Sequence, residues 1–126
     1  QRSEYYLIKV ADKSVKAVSD FSKGKIQLGS LAPGGKYFAY VRDNDLYYVD
    51  LSSMNETRIT TDGKKNEIIN GLVDWVYEEE FDNPRGFHWS SDGKQIAFYH
   101  FDERNVKSFS LTYYGDLYPE EYTFKY

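Results

Sequence analysis

Apolar and polar positions alternate in short runs along this chain, and a polar or glycine-rich turn bounds each run. Glu4-Tyr5-Tyr6-Leu7-Ile8-Lys9-Val10 is aromatic and β-branched, which predicts a strand over 4–10. Ala11-Asp12-Lys13-Ser14 reads as a turn, Val15 and Val18 as a second short strand, and Lys23-Gly24-Lys25 as another turn. Leu28 to Lys36 then carries Pro33-Gly34-Gly35 and leads into the apolar run Tyr37-Phe38-Ala39-Tyr40-Val41. Arg42-Asp43-Asn44-Asp45 turns the chain, and Leu46-Tyr47-Tyr48-Val49-Asp50-Leu51 follows as the next strand. Such tight connections need residues that accept positive φ, and Gly, Asn and Asp supply them. The sequence therefore predicts an antiparallel meander over about 24–63.

The pattern recurs. Phe87-His88-Trp89-Ser90-Ser91-Asp92-Gly93-Lys94 leads into Gln95-Ile96-Ala97-Phe98-Tyr99. Lys94 stands 58 positions after Lys36, Ala97 matches Ala39, and Phe98 matches Tyr40. A four-stranded propeller blade takes about 40–50 residues. The longer offset implies an insertion, placed at about 65–84, between two blade-like units. The expected fold is all-β: about two antiparallel blades of a β-propeller in residues 1–126, the second unit and an arm occupying about 85–126. The small Ala39 and Ala97 suit sheets stacked face to face. The alternative is two unrelated hairpins that share common turn residues. Two blades do not close a ring of about four to eight, so unpaired edges and self-association are expected.

Composition agrees with an all-β reading. Aromatic residues make up 18% of the chain, with 13 Tyr and 8 Phe, and these favour pleated surfaces. The net charge of −4 argues against nucleic acid as a partner. No stretch approaches the roughly 18 apolar residues of a membrane span. There is no cysteine to form a disulfide or hold a metal. Gln1 begins in mid-pattern and Tyr126 ends a strand-like run, so the chain is expected to be a piece of a longer protein.

One constellation inside the insertion carries chemistry. Asp74-Trp75-Val76-Tyr77 runs directly into Glu78-Glu79-Glu80 and Phe81. Adjacent like charges repel, and aromatic neighbours raise that cost by excluding water. No Lys or Arg lies within four positions of Glu79 or Glu80; Arg85 is the nearest. One reading is a solvated turn. The other is a cation site that binds an external ammonium beside aromatic rings. In a strand, Glu79 and Glu80 would point to opposite faces. In a short helix they sit about 100° apart and both reach one cation. The cation reading thus requires a short helix, for which Asp74 is the natural N-cap.

Other chemistry is missing. No nucleophile elbow, histidine pair or phosphate loop is present, so no catalytic residue, metal ligand or cofactor is assigned. His88 and His100, the only histidines, read as packed or exposed side chains. Asn55-Glu56-Thr57 fits a glycosylation sequon by pattern alone.

The run Asp74 to Glu80 resembles the double-Glu motif of the dipeptidyl peptidase IV family, in the prolyl oligopeptidase clan. The resemblance extends over nearly the whole chain. Asn44-Asp45-Leu46-Tyr47 and Arg58-Ile59-Thr60 are similar to the preceding blade, and Asn70-Gly71-Leu72-Val73 stands before the motif as in the family. His88 to Lys94 and Ala97-Phe98 are similar to the following blade. Asp116-Leu117-Tyr118-Pro119 and Phe124-Lys125-Tyr126 resemble the extended arm after it.

The resemblance implies a substrate-recognition segment of a serine peptidase that removes N-terminal dipeptides, typically after Pro or Ala. It assigns Glu79 and Glu80 to the substrate's α-ammonium, with Asp74, Trp75 and Tyr77 supporting them; Glu78 is left unassigned. It implies a catalytic triad in a separate α/β-hydrolase domain that this chain lacks, so the chain by itself is not catalytic. It also implies a homodimer through the arm at 111–126, and an exported bacterial parent, periplasmic or at the cell surface. The family's upstream propeller Arg is not matched here, because Arg2 lies too close to Tyr5. Phe81-Asp82-Asn83-Pro84-Arg85 departs from the family where another aromatic is expected. The competing readings are a non-catalytic propeller module that binds peptides or proteins, and a sensor or transporter-linked propeller sharing only the Asp-Gly-Lys turn.

Overall fold

A computed structural model describes residues 2–126. The chain opens with a hairpin of β1 (Tyr6–Lys9) and β2 (Ser14–Ala17). An antiparallel sheet of four consecutive strands follows: β3 (Gln27–Leu31), β4 (Tyr37–Arg42), β5 (Asp45–Asp50) and β6 (Asn55–Arg58). Arg42 pairs with Asp45, so the β4–β5 loop is only Asp43 and Asn44, at φ of 51° and 64°. Two consecutive positive φ values make a turn whose twist matches that of the strands it joins.

This sheet is the core because both of its faces are covered. Tyr40, Tyr47 and Val49 point one way and pack with Val18 and Ile26, under Tyr5 and Leu7 of the opening hairpin. Ala39, Val41 and Leu46 point the other way and pack with Phe87, backed by Leu72, Trp89 and Ile96. The period-2 alternation of strands explains the split. Burial on both faces explains why β4 and β5 read as near-continuous apolar runs.

The second unit is built from β7 (Ile68–Asn70), β8 (Phe87–Trp89), β9 (Ile96–Phe98) and β10 (His100–Asp102). Its β8–β9 hairpin repeats β3–β4 at the predicted offset. Ser30 pairs with Ala39, and His88 with Ala97. The Ala32 N–H donates to the Tyr37 carbonyl at 2.8 Å, and the Ser90 N–H to the Gln95 carbonyl at 2.9 Å. The two hairpins thus share turn and register, which unrelated hairpins would not.

The fit is not complete. Ala39 is fully buried beneath the second unit, whereas Ala97 is exposed. The position of the insertion also differs from the expectation of a segment between the units. Residues 68–70 pair with β10, while β8 pairs with β9. Only Tyr99 separates β9 from β10. Hence β7 and β8 are two halves of one strand, and the chain leaves it at Gly71 and returns at Gly86. The Gly71 N–H donates to the Tyr99 carbonyl at 3.0 Å, and the Tyr99 N–H to the Gly86 carbonyl at 2.8 Å.

Backbone geometry selects glycine at both gateposts. Gly71 takes φ of 74°, which side chains disfavour. At Gly86 an added Cβ would lie 2.2 Å from the Leu72 carbonyl oxygen. The legs of the excursion run that close because the Gly86 N–H donates to the Gly71 carbonyl at 3.1 Å and Leu72 bridges Arg85. The excursion carries the one α-helix among the described residues, α1 (Trp75–Glu79). The chain ends in a long hairpin, β11 (Ser108–Tyr113) and β12 (Glu120–Lys125), which starts slightly before the expected arm.

Candidate functional site

Helix α1 forms where the cation reading needs it. The Asp74 side chain accepts a hydrogen bond from the Tyr77 N–H at 2.9 Å, the N-cap geometry expected of it. One turn later the Glu80 N–H donates to the Val76 carbonyl at 2.9 Å, and Glu80 keeps right-handed helical φ and ψ as the C-cap. Glu79 and Glu80 therefore project about 100° apart from the same helix end.

Two aromatic side chains hold α1 from opposite sides. Trp75 stacks on Phe124 of β12, with ring centroids 5.4 Å apart, and meets Tyr126 edge-on at 4.9 Å. Tyr77 packs against Phe101 at 5.6 Å, Phe81 at 5.5 Å and Tyr99 at 6.3 Å. Residues two apart on a helix point about 200° from each other. The helix is thus gripped between the terminal hairpin and the β9–β10 strand.

The three carboxylates divide. Glu78 lines a cleft of about 490 Å³ with Trp75, Glu103, Phe124 and Lys125. Glu79 and Glu80 lie outside that cleft and are exposed. Neither has an ion-pair or side-chain hydrogen-bond partner among the described residues. Arg85, the nearest cation in sequence, is turned away: it donates to the Leu28 carbonyl at 2.9 Å and lies over the Phe87 ring at 5.2 Å. Acidic side chains at a helix C-terminus also face the negative end of the backbone dipole, and no basic residue occupies the last turn. Among the described residues no cation compensates the charge of the pair. The exposure differs from the water-excluded setting expected from the aromatic neighbours, because Tyr77 and Phe81 are themselves partly in solvent.

Two features escaped the sequence reading. Asn70, 1% exposed, is a hub at the root of the excursion. Its Nδ2 donates to Asp62 at 2.9 Å and Asp45 at 3.2 Å, and its Oδ1 lies 2.7 Å from His100 Nδ1. Because the amide nitrogen faces the carboxylates, its oxygen accepts, and His100 carries the proton on Nδ1. His100 is therefore a structural donor, and His88 is exposed on β8.

The second feature is Glu103, 7% exposed at the cleft wall, with no hydrogen-bond partner for its carboxylate among the described residues. Burial pushes that carboxyl above its ordinary value and the Asp74 charge adds to the push, while Lys125 opposes it. Asn-Gly and Asp-Glu pairs carry no local signal for either role.

Comparison with known proteins gives a consistent answer. The family described as the dipeptidyl peptidase IV (DPP IV) N-terminal region matches residues 1–126. A probable dipeptidyl-aminopeptidase B from Talaromyces stipitatus is 40% identical over 112 residues, covering 87% of this chain and 12% of that protein. A probable dipeptidyl peptidase 4 from Aspergillus flavus is 37% identical over 132 residues, covering 98% of this chain and 17% of that protein. The crystal structure of Porphyromonas gingivalis dipeptidyl peptidase 4 superposes with a TM-score of 0.90 at 38% identity, covering 99% of this chain and 18% of that one. The chain thus spans less than a fifth of the length of these relatives. They come from fungi as well as a bacterium, so they do not single out the bacterial source expected above. No helix among the described residues is long and apolar enough to cross a membrane.

Proposed function

The chain belongs to the dipeptidyl peptidase IV N-terminal family, and on that premise we propose that it reads the free N-terminus of a peptide substrate for a serine dipeptidyl peptidase. Glu79 and Glu80 bind the α-ammonium. The observation that carries this reading is the pair itself: two adjacent, exposed carboxylates on one helix end, with no cationic partner among the described residues.

An α-amine has a reference pKa near ~8 and is cationic near neutral pH. Its three N–H groups can donate charge-assisted hydrogen bonds to both carboxylates, and Tyr77 and Phe81 offer aromatic faces beside them. Anchoring the ammonium fixes where the chain's later bonds fall. The scissile bond then lies a set distance away, and the enzyme removes two residues, with X-Pro or X-Ala as the preferred dipeptide. This is positioning rather than bond chemistry. The nucleophile and its partners reside in the parent's α/β-hydrolase domain.

The terminal hairpin serves as a homodimer contact. Tyr113, Tyr114, Leu117 and Tyr118 are all more than 65% exposed along it, which supports that role.

The test uses the full-length parent. Hydrolysis of glycyl-prolyl p-nitroanilide is compared with that of its N-acetylated form, in wild type and in Glu79→Gln/Glu80→Gln. Wild type is expected to cleave only the free-amine substrate, and the double variant to lose at least about 100-fold in kcat/KM. Equal turnover of both substrates, or an indifferent double variant, would make the triple Glu a solvated turn. An inactive wild type that still binds peptides would favour the non-catalytic module.

A further inference from the structure

The terminal hairpin touches solvent almost everywhere except at one residue. All six positions of β11 are exposed, and in β12 only Phe124 is buried, at 9% exposure. What covers Phe124 is Trp75, the first residue of α1. Tyr126 closes on the same indole, and Phe109 of β11 packs behind Phe124 at 5.8 Å. The hairpin and the helix therefore meet through a single aromatic joint. Four positions beyond that joint, one helical turn away and on the same side, stands Glu79.

From this geometry we infer that Trp75 is a positioning residue: clamped by Phe124 and Tyr126, it fixes the orientation of the helix that presents Glu79 and Glu80, and couples the terminal hairpin to N-terminus recognition. The inference rests on the ammonium-binding reading above. A five-residue helix has one turn of hydrogen bonds and is not stable by itself. Tyr77 anchors its other side against Phe101, and the Asn83 N–H donates to the Tyr77 carbonyl at 3.1 Å. Trp75 fixes the opposite side, so the two anchors together set the tilt of the helix. Displacing charged hydrogen-bond partners by about 1 Å can lower rates roughly 100-fold, so a modest tilt of α1 is enough to be seen.

The test uses the full-length parent and two substrates that differ only by the amine: glycyl-prolyl p-nitroanilide and acetyl-prolyl p-nitroanilide. Active sites are counted by fluorophosphonate labelling of the serine, which does not involve the ammonium site. The readout is the ratio of the two kcat/KM values, the preference for a free amine. Trp75→Ala is expected to lower that ratio by about ten- to 100-fold, through the glycyl substrate alone. Trp75→Phe should keep the ratio within about threefold of wild type, since a ring still stacks on Phe124. Phe124→Ala, on the hairpin side, should lower the ratio as Trp75→Ala does.

A merely structural role would depress both substrates together and leave the ratio unchanged; that result, or a wild-type ratio in both alanine variants, overturns the inference. Glu79→Gln/Glu80→Gln separates the two claims. If that double variant keeps the wild-type ratio, the ammonium reading itself fails. If it collapses the ratio while Trp75→Ala does not, only the clamp fails.

Discussion

The Asn70 side-chain amide donates to the Asp45 carboxylate at 3.2 Å, joining the second unit to β5 at the point where the excursion leaves its strand. The Asn70 backbone reinforces the link, its N–H donating to the Asn44 carbonyl at 2.9 Å. Asn70→Ala would remove a donor from the buried Asp45 carboxylate and from the exposed Asp62 carboxylate, and an acceptor from His100, while leaving the backbone contact intact. Asp45 keeps its bonds from Thr60 and the Gly63 N–H, so the loss is that of the amide's own hydrogen bonds to charged groups, about 1–3 kcal/mol. The expected result is a loss of that size in urea unfolding of the parent's N-terminal domain. A change below about 0.5 kcal/mol would show that water replaces the amide without penalty.

Asp45 makes the same region acid-sensitive. Burial pushes its carboxyl up, but hydrogen bonds from Thr60, from Arg58 and from the Gly63 N–H outweigh it and hold the group below its ordinary value. A carboxyl depressed on folding adds stability that is fully present above its unfolded pKa, near ~3.9, and lost as pH falls through the lower folded value. Asp45→Asn should therefore be less stable than wild type at neutral pH and should converge on it below about pH 4. Thermal melts across that range check the sign; parallel curves would assign the acid loss to another group.

Glu103 predicts the opposite slope. Burial and the facing Asp74 charge raise its carboxyl, against Lys125, with Glu78 and Arg2 on the same cleft wall. A carboxyl raised on folding adds stability that is fully present below its unfolded pKa, near ~4.3, and lost as pH rises through the higher folded value. Glu103→Gln should match wild type at about pH 4 and exceed it in melting temperature at pH 7. If the variant melts lower at pH 7, an ionised Glu103 is holding the cleft cations and its burial is not a net cost.

How far the sequence carries the structure depends on the range of each interaction. The Asp74 cap, the short helix and the Asp43-Asn44 turn are local, and residue types alone declare them. The repeat was legible because two hairpins use the same turn chemistry 58 residues apart. The divided strand was not. Residues 68–70 pair with 100–102, and between them lie a helix and a hairpin that give no sign of the partner. The same holds for Trp75 and Phe124, which meet across 49 positions. Type and order single out Glu79 and Glu80 as candidates in the sequence, whereas the network that holds their helix is tertiary and is visible only in the fold.

Gly86 offers a sharp test of the divided strand. A Cβ there would lie 2.2 Å from the Leu72 carbonyl oxygen and 2.6 Å from its carbon, both backbone atoms that cannot rotate away. Gly86→Ala must push the legs of the excursion apart and break the bond from the Gly86 N–H to the Gly71 carbonyl. The expected cost is about 2–4 kcal/mol. It should be accompanied by faster limited proteolysis between Gly71 and Gly86, with the four-stranded sheet still protected. Uniform loss of protection would mean that the excursion is not a separate unit.

Leu117 is 90% exposed and Tyr118 77%, beside Tyr114 at 79%, all at the tip between β11 and β12. Apolar side chains so far from any core gain nothing within the chain. Burying them against a second copy recovers about 25 cal/mol for each square ångström of apolar surface removed from water. Leu117→Asp/Tyr118→Asp places two charges in that contact, where unpaired burial is costly. Light scattering is expected to report a dimer for the full-length wild type and a monomer for the variant. Because the joint at Trp75 and Phe124 lies at the other end of the hairpin, this variant should retain the free-amine preference per active site. A dimer that persists would move the contact elsewhere on the parent. A monomer that also loses the preference would mean that dimerisation, and not the aromatic joint alone, holds α1 in place.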